Sequence, residues 1–215
     1  YFYRRVMKRN KMKVEDTMKM SGTDWSQYRE LLEGRKTYLM SRPHEDVYIT
    51  SEDGLRLHGT FFPGTEGAKK IAICLHGYTS QGMSDYIGLS DYYLKRGFAM
   101  LLPDARAHGK SEGEYVGLGC LDRRDLIRWI DWTLKKCGED VQILLHGNSM
   151  GGATVLMASG LKLPGQVKGI ISDCGFTSAK EVFSHVLRSW YHLPAFPMIQ
   201  RSEERRVGKE CLEWW

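Results

Sequence analysis

The sequence has little cysteine, and none of it is patterned. Cys74, Cys120, Cys137, Cys174 and Cys211 are odd in number and form no C-x-x-C or Cys/His ligand spacing. That excludes a disulfide framework and a metal signature, and it reads as the reduced thiols of a cytosolic protein. Cys74, inside an apolar run, and Cys174, just past another, are expected as small buried apolar residues. No apolar stretch is long enough to span a bilayer. Internal repeats and low-complexity linkers are absent too, so the 215 residues read as one domain with one substantial core. Basic charge is missing from the body of the chain. Residues 1–20 hold seven Lys or Arg against two acids, and the remainder is balanced at 24 of each, so the net +5 resides in the arm. A nucleic-acid partner, which needs a basic stripe on the folded body, is excluded.

Both ends carry unusual strings. The chain opens Tyr1-Phe2-Tyr3-Arg4-Arg5, aromatic residues followed by cations, as at the interfacial end of a membrane anchor. Two readings stand: an anchor preceding Tyr1 that holds a cytoplasmic body at the membrane, or a solvated, partly helical arm. At the other end, residues 201–211 (RSEERRVGKEC) resemble the in-frame translation of a sequencing-adapter oligonucleotide. Residues 201–215 are therefore read as a non-native tail. The expected organisation is a basic arm and helix over 1–45, a core over 46–200 and the tail over 201–215.

After the basic arm, Thr23 or Asp24 can cap a helix with Trp25, Tyr28, Leu31 and Leu32 at helical spacing. The runs 46–50 and 55–62 flank the turn Glu52-Asp53-Gly54 and predict a hairpin. Strands then alternate with helices: strands over 70–75, 98–102, 141–145 and 167–172, and helices over 86–96, 121–136, 151–160 and 177–190. This pattern predicts an α/β fold with a mostly parallel sheet and helices on both faces. Sites in such sheets form where the C-terminal strand ends meet.

Directly behind the apolar run 141–145 stands Gly147-Asn148-Ser149-Met150-Gly151, followed by the small-residue helix. In that strand-to-helix context a G-x-S-x-G pentapeptide reads as a nucleophile elbow: its glycines let strand and helix approach while Ser149 occupies a strained, exposed bend. A serine hydroxyl also needs a base and donors for the developing oxyanion. His76-Gly77-Tyr78-Thr79-Ser80 follows the strand 70–75. With the elbow, the hairpin 51–59, Asp104-Ala105-Arg106-Ala107-His108-Gly109-Lys110-Ser111 and Ser172-Asp173-Cys174-Gly175, it resembles the α/β-hydrolase superfamily over residues 45–190. The pattern is most similar to its serine-aminopeptidase-like and monoacylglycerol-lipase-like group.

The resemblance implies that Ser149 is the nucleophile and that the backbone N–H groups of Tyr78 and Met150 form the oxyanion hole. Met150 is supported independently, because it opens a helix whose N-terminus favours negative charge. The Tyr78 side chain either lines the acyl pocket or covers the core. The implied reaction is hydrolysis of a carboxylic ester, with thioesters and short peptides as alternatives, through an acyl-enzyme and without a cofactor. The partner is a small ester or acyl substrate. A non-catalytic ligand-binding protein of the same fold is the competing class.

The family order is serine, acid, histidine, with the acid after a seventh strand and the histidine after an eighth. Here only His192 follows Trp190, in an aromatic, proline-broken segment suited to a lid. The catalytic His and Asp are expected beyond Gln200, which makes the fold incomplete at its C-terminal end and the chain as given inert. Asp173 is the one acid candidate within it. His108, with Asp104 and Arg106, is read as structural, and His76 and His146 as turn-stabilising. Losing the last two strands would also leave the strand 167–172 as an apolar edge.

Overall fold

The computed structural model describes residues 7–9 and 25–192. Most of the basic arm, the segment 193–200 and the tail 201–215 lie outside the described residues. Six strands, β1 (Glu45–Thr50), β2 (Arg56–Phe62), β3 (Lys70–Leu75), β4 (Phe98–Pro103), β5 (Gln142–Asn148) and β6 (Val167–Asp173), form one sheet in the order β1-β2-β4-β3-β5-β6. The β1–β2 and β2–β4 pairs are antiparallel, and β4–β3, β3–β5 and β5–β6 are parallel. The helices are α1 (Arg29–Met40, entered through a 3-10 turn at Trp25–Tyr28), α2 (Gly82–Lys95), α3 (Asp122–Cys137), α4 (Met150–Ser159) and α5 (Ala179–Tyr191).

The central strands are apolar throughout because both faces are covered. On β3, Ile71, Ile73 and Leu75 turn to one face, where they meet Leu126, Trp129 and Ile130 of α3 and Val155 and Ala158 of α4. Ala72 and Cys74 turn to the other, against Tyr86 and Tyr93 of α2 and Leu39 of α1. On β4, Leu101 and Met100 divide in the same way. This two-residue period through a doubly covered sheet builds two cores, each fully buried Leu or Ile contributing about 1.5–3 kcal/mol.

The structure departs from the sequence expectations at several boundaries. Strand β5 runs to Asn148 because its ladder to β6 continues through Gly147↔Ser172 and Asn148↔Asp173. The strand therefore leads straight into Ser149. Helix α2 begins at Gly82, where a Cβ would lie 2.9 Å from the Pro103 carbonyl oxygen; tight packing on β4 overrides glycine's low helix propensity. The Tyr28 and Leu31 stripe of the first helix is exposed, at 44% and 52%, and Leu39 carries the buried contact instead. Cys174 is exposed rather than buried, because β6 is an edge strand among the described residues. Among the described residues, no helix is long and apolar enough to cross a membrane.

Candidate active site

Ser149 stands between the last residue of β5 and the first of α4, with φ +52° and ψ −107°. An L-residue holds that backbone only when its surroundings over-determine it, at a cost of about 1–3 kcal/mol. Its N–H donates to the Asp173 carbonyl at 2.8 Å, and its carbonyl accepts from Ala153 N–H at 2.9 Å. Glycine is obligatory on either side. A Cβ on Gly147 would lie 2.0 Å from the Gly151 carbonyl oxygen, and one on Gly151 would lie 2.0 Å from that of Leu75. Met150 is buried at the start of α4, where the first-turn N–H groups lack intrahelical acceptors. The helix therefore directs positive potential at the bend.

The loop after β3 runs beside the elbow. A Cβ on Gly77 would lie 3.4 Å from Ser149 Cβ, so the backbone just before Tyr78 passes close beside Ser149. Side chains from three places brace the loop. His76 Nδ1–H donates to Gly77 O at 2.7 Å while its Nε2 accepts from Ala105 N–H at 2.9 Å. His108 Nδ1–H donates to Arg106 O at 2.9 Å while its Nε2 accepts from Thr79 N–H at 3.2 Å. Both acceptor roles require neutral imidazoles. For His108, burial and the neighbouring His76 ring, 5.0 Å away, hold the pKa down to about 4. The third brace is Asp85, in the first turn of α2. Its Oδ2 accepts from Gly77 N–H at 2.7 Å and from the Asn148 side-chain amide at 3.1 Å, and its Oδ1 accepts from the Ser80 hydroxyl.

The side chains of the turn at 104–111 are tied to neighbouring elements. The Arg106 guanidinium reaches Asp125 with two bonds of 2.8 Å and Asp53 of the hairpin turn with bonds of 2.8 and 3.1 Å. This fork holds the Asp53 carboxyl down to about 2. Asp104 accepts from Lys110 N–H at 3.0 Å and pairs with His58 at 2.8 Å. Burial opposes charge on His58, but its bonds to Asp104 and Asp46 outweigh this and raise its pKa.

Ser149, Met150 and the Gly77–Tyr78 backbone thus share one edge of the sheet. The histidines do not join them. All seven lie in the described region, and besides the three above, His146 Nδ1 meets the Tyr93 hydroxyl at 2.8 Å and His44 Nδ1 meets Arg42 O at 2.7 Å. His185 pairs with Ser189, and His192 caps α5 in a left-handed conformation, exposed. The Asp173 backbone supports Ser149, but its carboxylate turns to the Cys174 thiol at 3.3 Å. Among the described residues, no group of three or more His, Cys, Asp or Glu is arranged to hold a metal ion.

Sequence reasoning missed two features. Asp85 was one, its only sequence signal being an acid in the first turn of a helix. The other is the strap at residues 7–9. Lys8 bridges to Tyr115, Val116 N–H donates to Met7 O at 2.8 Å, and Arg9 donates to the carbonyls of Ser111 at 2.5 Å and Gly109 at 2.6 Å. Met7 thereby joins an apolar cluster with Met150, Ala107, Val116, Leu118 and Ala179, flanked by Tyr78, Phe176 and Phe183. The Tyr78 side chain accordingly packs against this cluster at the sheet edge.

The sequence model of the alpha/beta hydrolase fold family matches residues 72–207. The chain is 28% identical over 151 residues to the uncharacterized protein YqkD of Bacillus subtilis, covering 70% of this chain and 49% of that one. It is 30% identical over 147 residues to the uncharacterized protein YfhR of Escherichia coli K12, covering 66% and 51%. It thus spans about half the length of these curated relatives. Among solved structures, the Pyrococcus furiosus esterase Pf2001 superposes with a TM-score of 0.62 at 30% identity, over 73% of this chain and 60% of that one. An alpha-beta hydrolase from Vibrio vulnificus shares the fold at 21% identity, with a TM-score of 0.57 over 83% and 60%.

Proposed function

The chain belongs to the alpha/beta hydrolase fold family, and from that premise we propose that it is a serine hydrolase acting on carboxylic esters. The esterase among its structural neighbours supports hydrolysis in general. The finer reading is carried by one observation: Ser149 is held at φ +52° on the bend between β5 and the N-terminus of α4. Backbone strain held by its surroundings clusters at functional sites, which supports a working hydroxyl at this bend.

In the proposed reaction a general base takes the Ser149 hydroxyl proton as Oγ attacks the ester carbonyl carbon, and the protonated base then serves as the general acid. The carbonyl oxygen takes the negative charge and is received by the N–H groups of Met150 and Tyr78. The alkoxide leaves with a proton from a general acid, and water reverses the sequence to release the carboxylic acid. All seven histidines of the sequence are described and none has its ring bonded toward Ser149, so none of these rings, as placed, is assigned as the base. Without a base, catalysis falls by several orders of magnitude, because nucleophile, base and acid act as a unit.

A fluorophosphonate probe, which phosphonylates an activated serine, tests this. The full-length protein is expected to label at Ser149, and the Ser149→Ala variant is not. No labelling of the full-length protein overturns the hydrolase reading in favour of a non-catalytic ligand binder.

A further inference from the structure

The three bonds to Asp85 join two parts of the site that are distant in sequence. Gly77, whose N–H meets Oδ2, immediately precedes Tyr78, one proposed oxyanion donor. Asn148, whose amide meets the same oxygen, lies two residues before Met150, the other donor. A Cβ on Gly77 would touch both Asp85 Oδ2 and Ser149 Cβ at 3.4 Å, so the loop lies close between the clamp and Ser149. We propose that Asp85 is a positioning residue that sets the spacing between the two halves of the oxyanion hole. This rests on the serine-hydrolase reading and deepens it.

Chemistry explains why a carboxylate serves here. It is acceptor-only, with about four lone-pair sites, and so receives three donors at once. An asparagine keeps one acceptor oxygen and turns its own NH₂ toward either Asn148 or Ser80, and facing Asn148 it sets donor against donor. The first turn of α2, where the helix dipole favours an anion, is a suitable seat. Among the described residues, the Tyr86 hydroxyl also joins the ends of β3 and β5, through the Leu75 and His146 carbonyls, but it reaches neither the loop nor the Asn148 side chain. His76 and His108 tie the loop to the 104–108 turn.

The sign of the effect separates positioning from simple charge. A negative charge beside a developing oxyanion disfavours it, so removing Asp85's charge with the geometry intact would speed acyl transfer. Removing a positioning group slows it, and loss of one oxyanion donor costs about 10²–10³ in kcat. A clamp acting through one donor is expected to cost less, about 10–100-fold.

The experiment uses the full-length protein and a p-nitrophenyl ester, each rate being divided by the sites titrated with fluorophosphonate. Asp85→Ala is expected to lower kcat about 10–100-fold with KM within about two-fold, and Asp85→Asn to fall between. Affinity for a trifluoromethyl ketone, which forms the tetrahedral oxyanion adduct, is expected to drop in parallel. Asn148→Ala removes one leg and leaves the carboxylate in place, so it reports on the clamp even if Asp85→Ala does not fold. An active wild type in which kcat per site is unchanged or raised in Asp85→Asn and Asn148→Ala overturns the clamp alone. A wild type inert to both ester and fluorophosphonate overturns the hydrolase reading, and the clamp with it.

Discussion

Replacing Ser149 by glycine removes a Cβ from a backbone held at φ +52°, ψ −107°. The strain stored in such a conformation is about 1–3 kcal/mol, and glycine, which reaches positive φ freely, releases most of it. Against this, glycine gives the unfolded chain more freedom, which takes back about 0.4–1 kcal/mol. The folded state is therefore expected to gain about 1 kcal/mol, raising Tm by about 2–4 °C for a chain of this size. Ser149→Ala keeps the Cβ and the strain, so alanine is the reference. Urea unfolding followed by tryptophan fluorescence, with Trp129 buried in the core as reporter, measures the difference at constant m. In an ordinary helix or strand the order reverses, with glycine less stable than alanine by about 0.5–1 kcal/mol. If glycine is the less stable of the two, position 149 is not strained and the elbow argument fails.

Two further outcomes follow from the supports around the site. Arg106→Met leaves Asp125, only 7% exposed, without its cation and is expected to cost about 3–5 kcal/mol in urea unfolding; adding Asp125→Asn recovers part of it. An additive double variant would show that the fork is not coupled. The His108 imidazole is expected to titrate near pH 4 by NMR instead of near 6.5. Its unfolded form binds the proton first, so this group withdraws stability as pH falls from 6.5 to 4, by about 3 kcal/mol at most. A midpoint near 6.5 refutes the buried, neutral assignment.

The elbow and both covered faces were legible because they rest on short-range signals. An apolar run followed by glycines around Ser149 marks strand, bend and helix, and the alternation along 70–75 sorts the two cores. The end of β5 was set by pairing with β6, which single-strand periodicity does not contain. Cys174 reads as a buried small residue after an apolar run, but its exposure depends on what neighbours an edge strand. Asp85 was illegible for a stronger reason. Its partners lie 8 residues before it and 63 after it, so no local pattern distinguishes it from a solvated acid at a helix start. The first helix shows the opposite failure: Tyr28 and Leu31 have helical spacing, yet the sheet takes Leu39.

The docking of residues 7–9 joins this short segment to the 104–111 turn, about 100 residues later in the chain. Arg9 grips two carbonyls of that turn, and Met7 is buried in the same apolar cluster as Met150. Removing residues 7–9 would therefore uncover one side of that cluster without taking away any strand of the sheet.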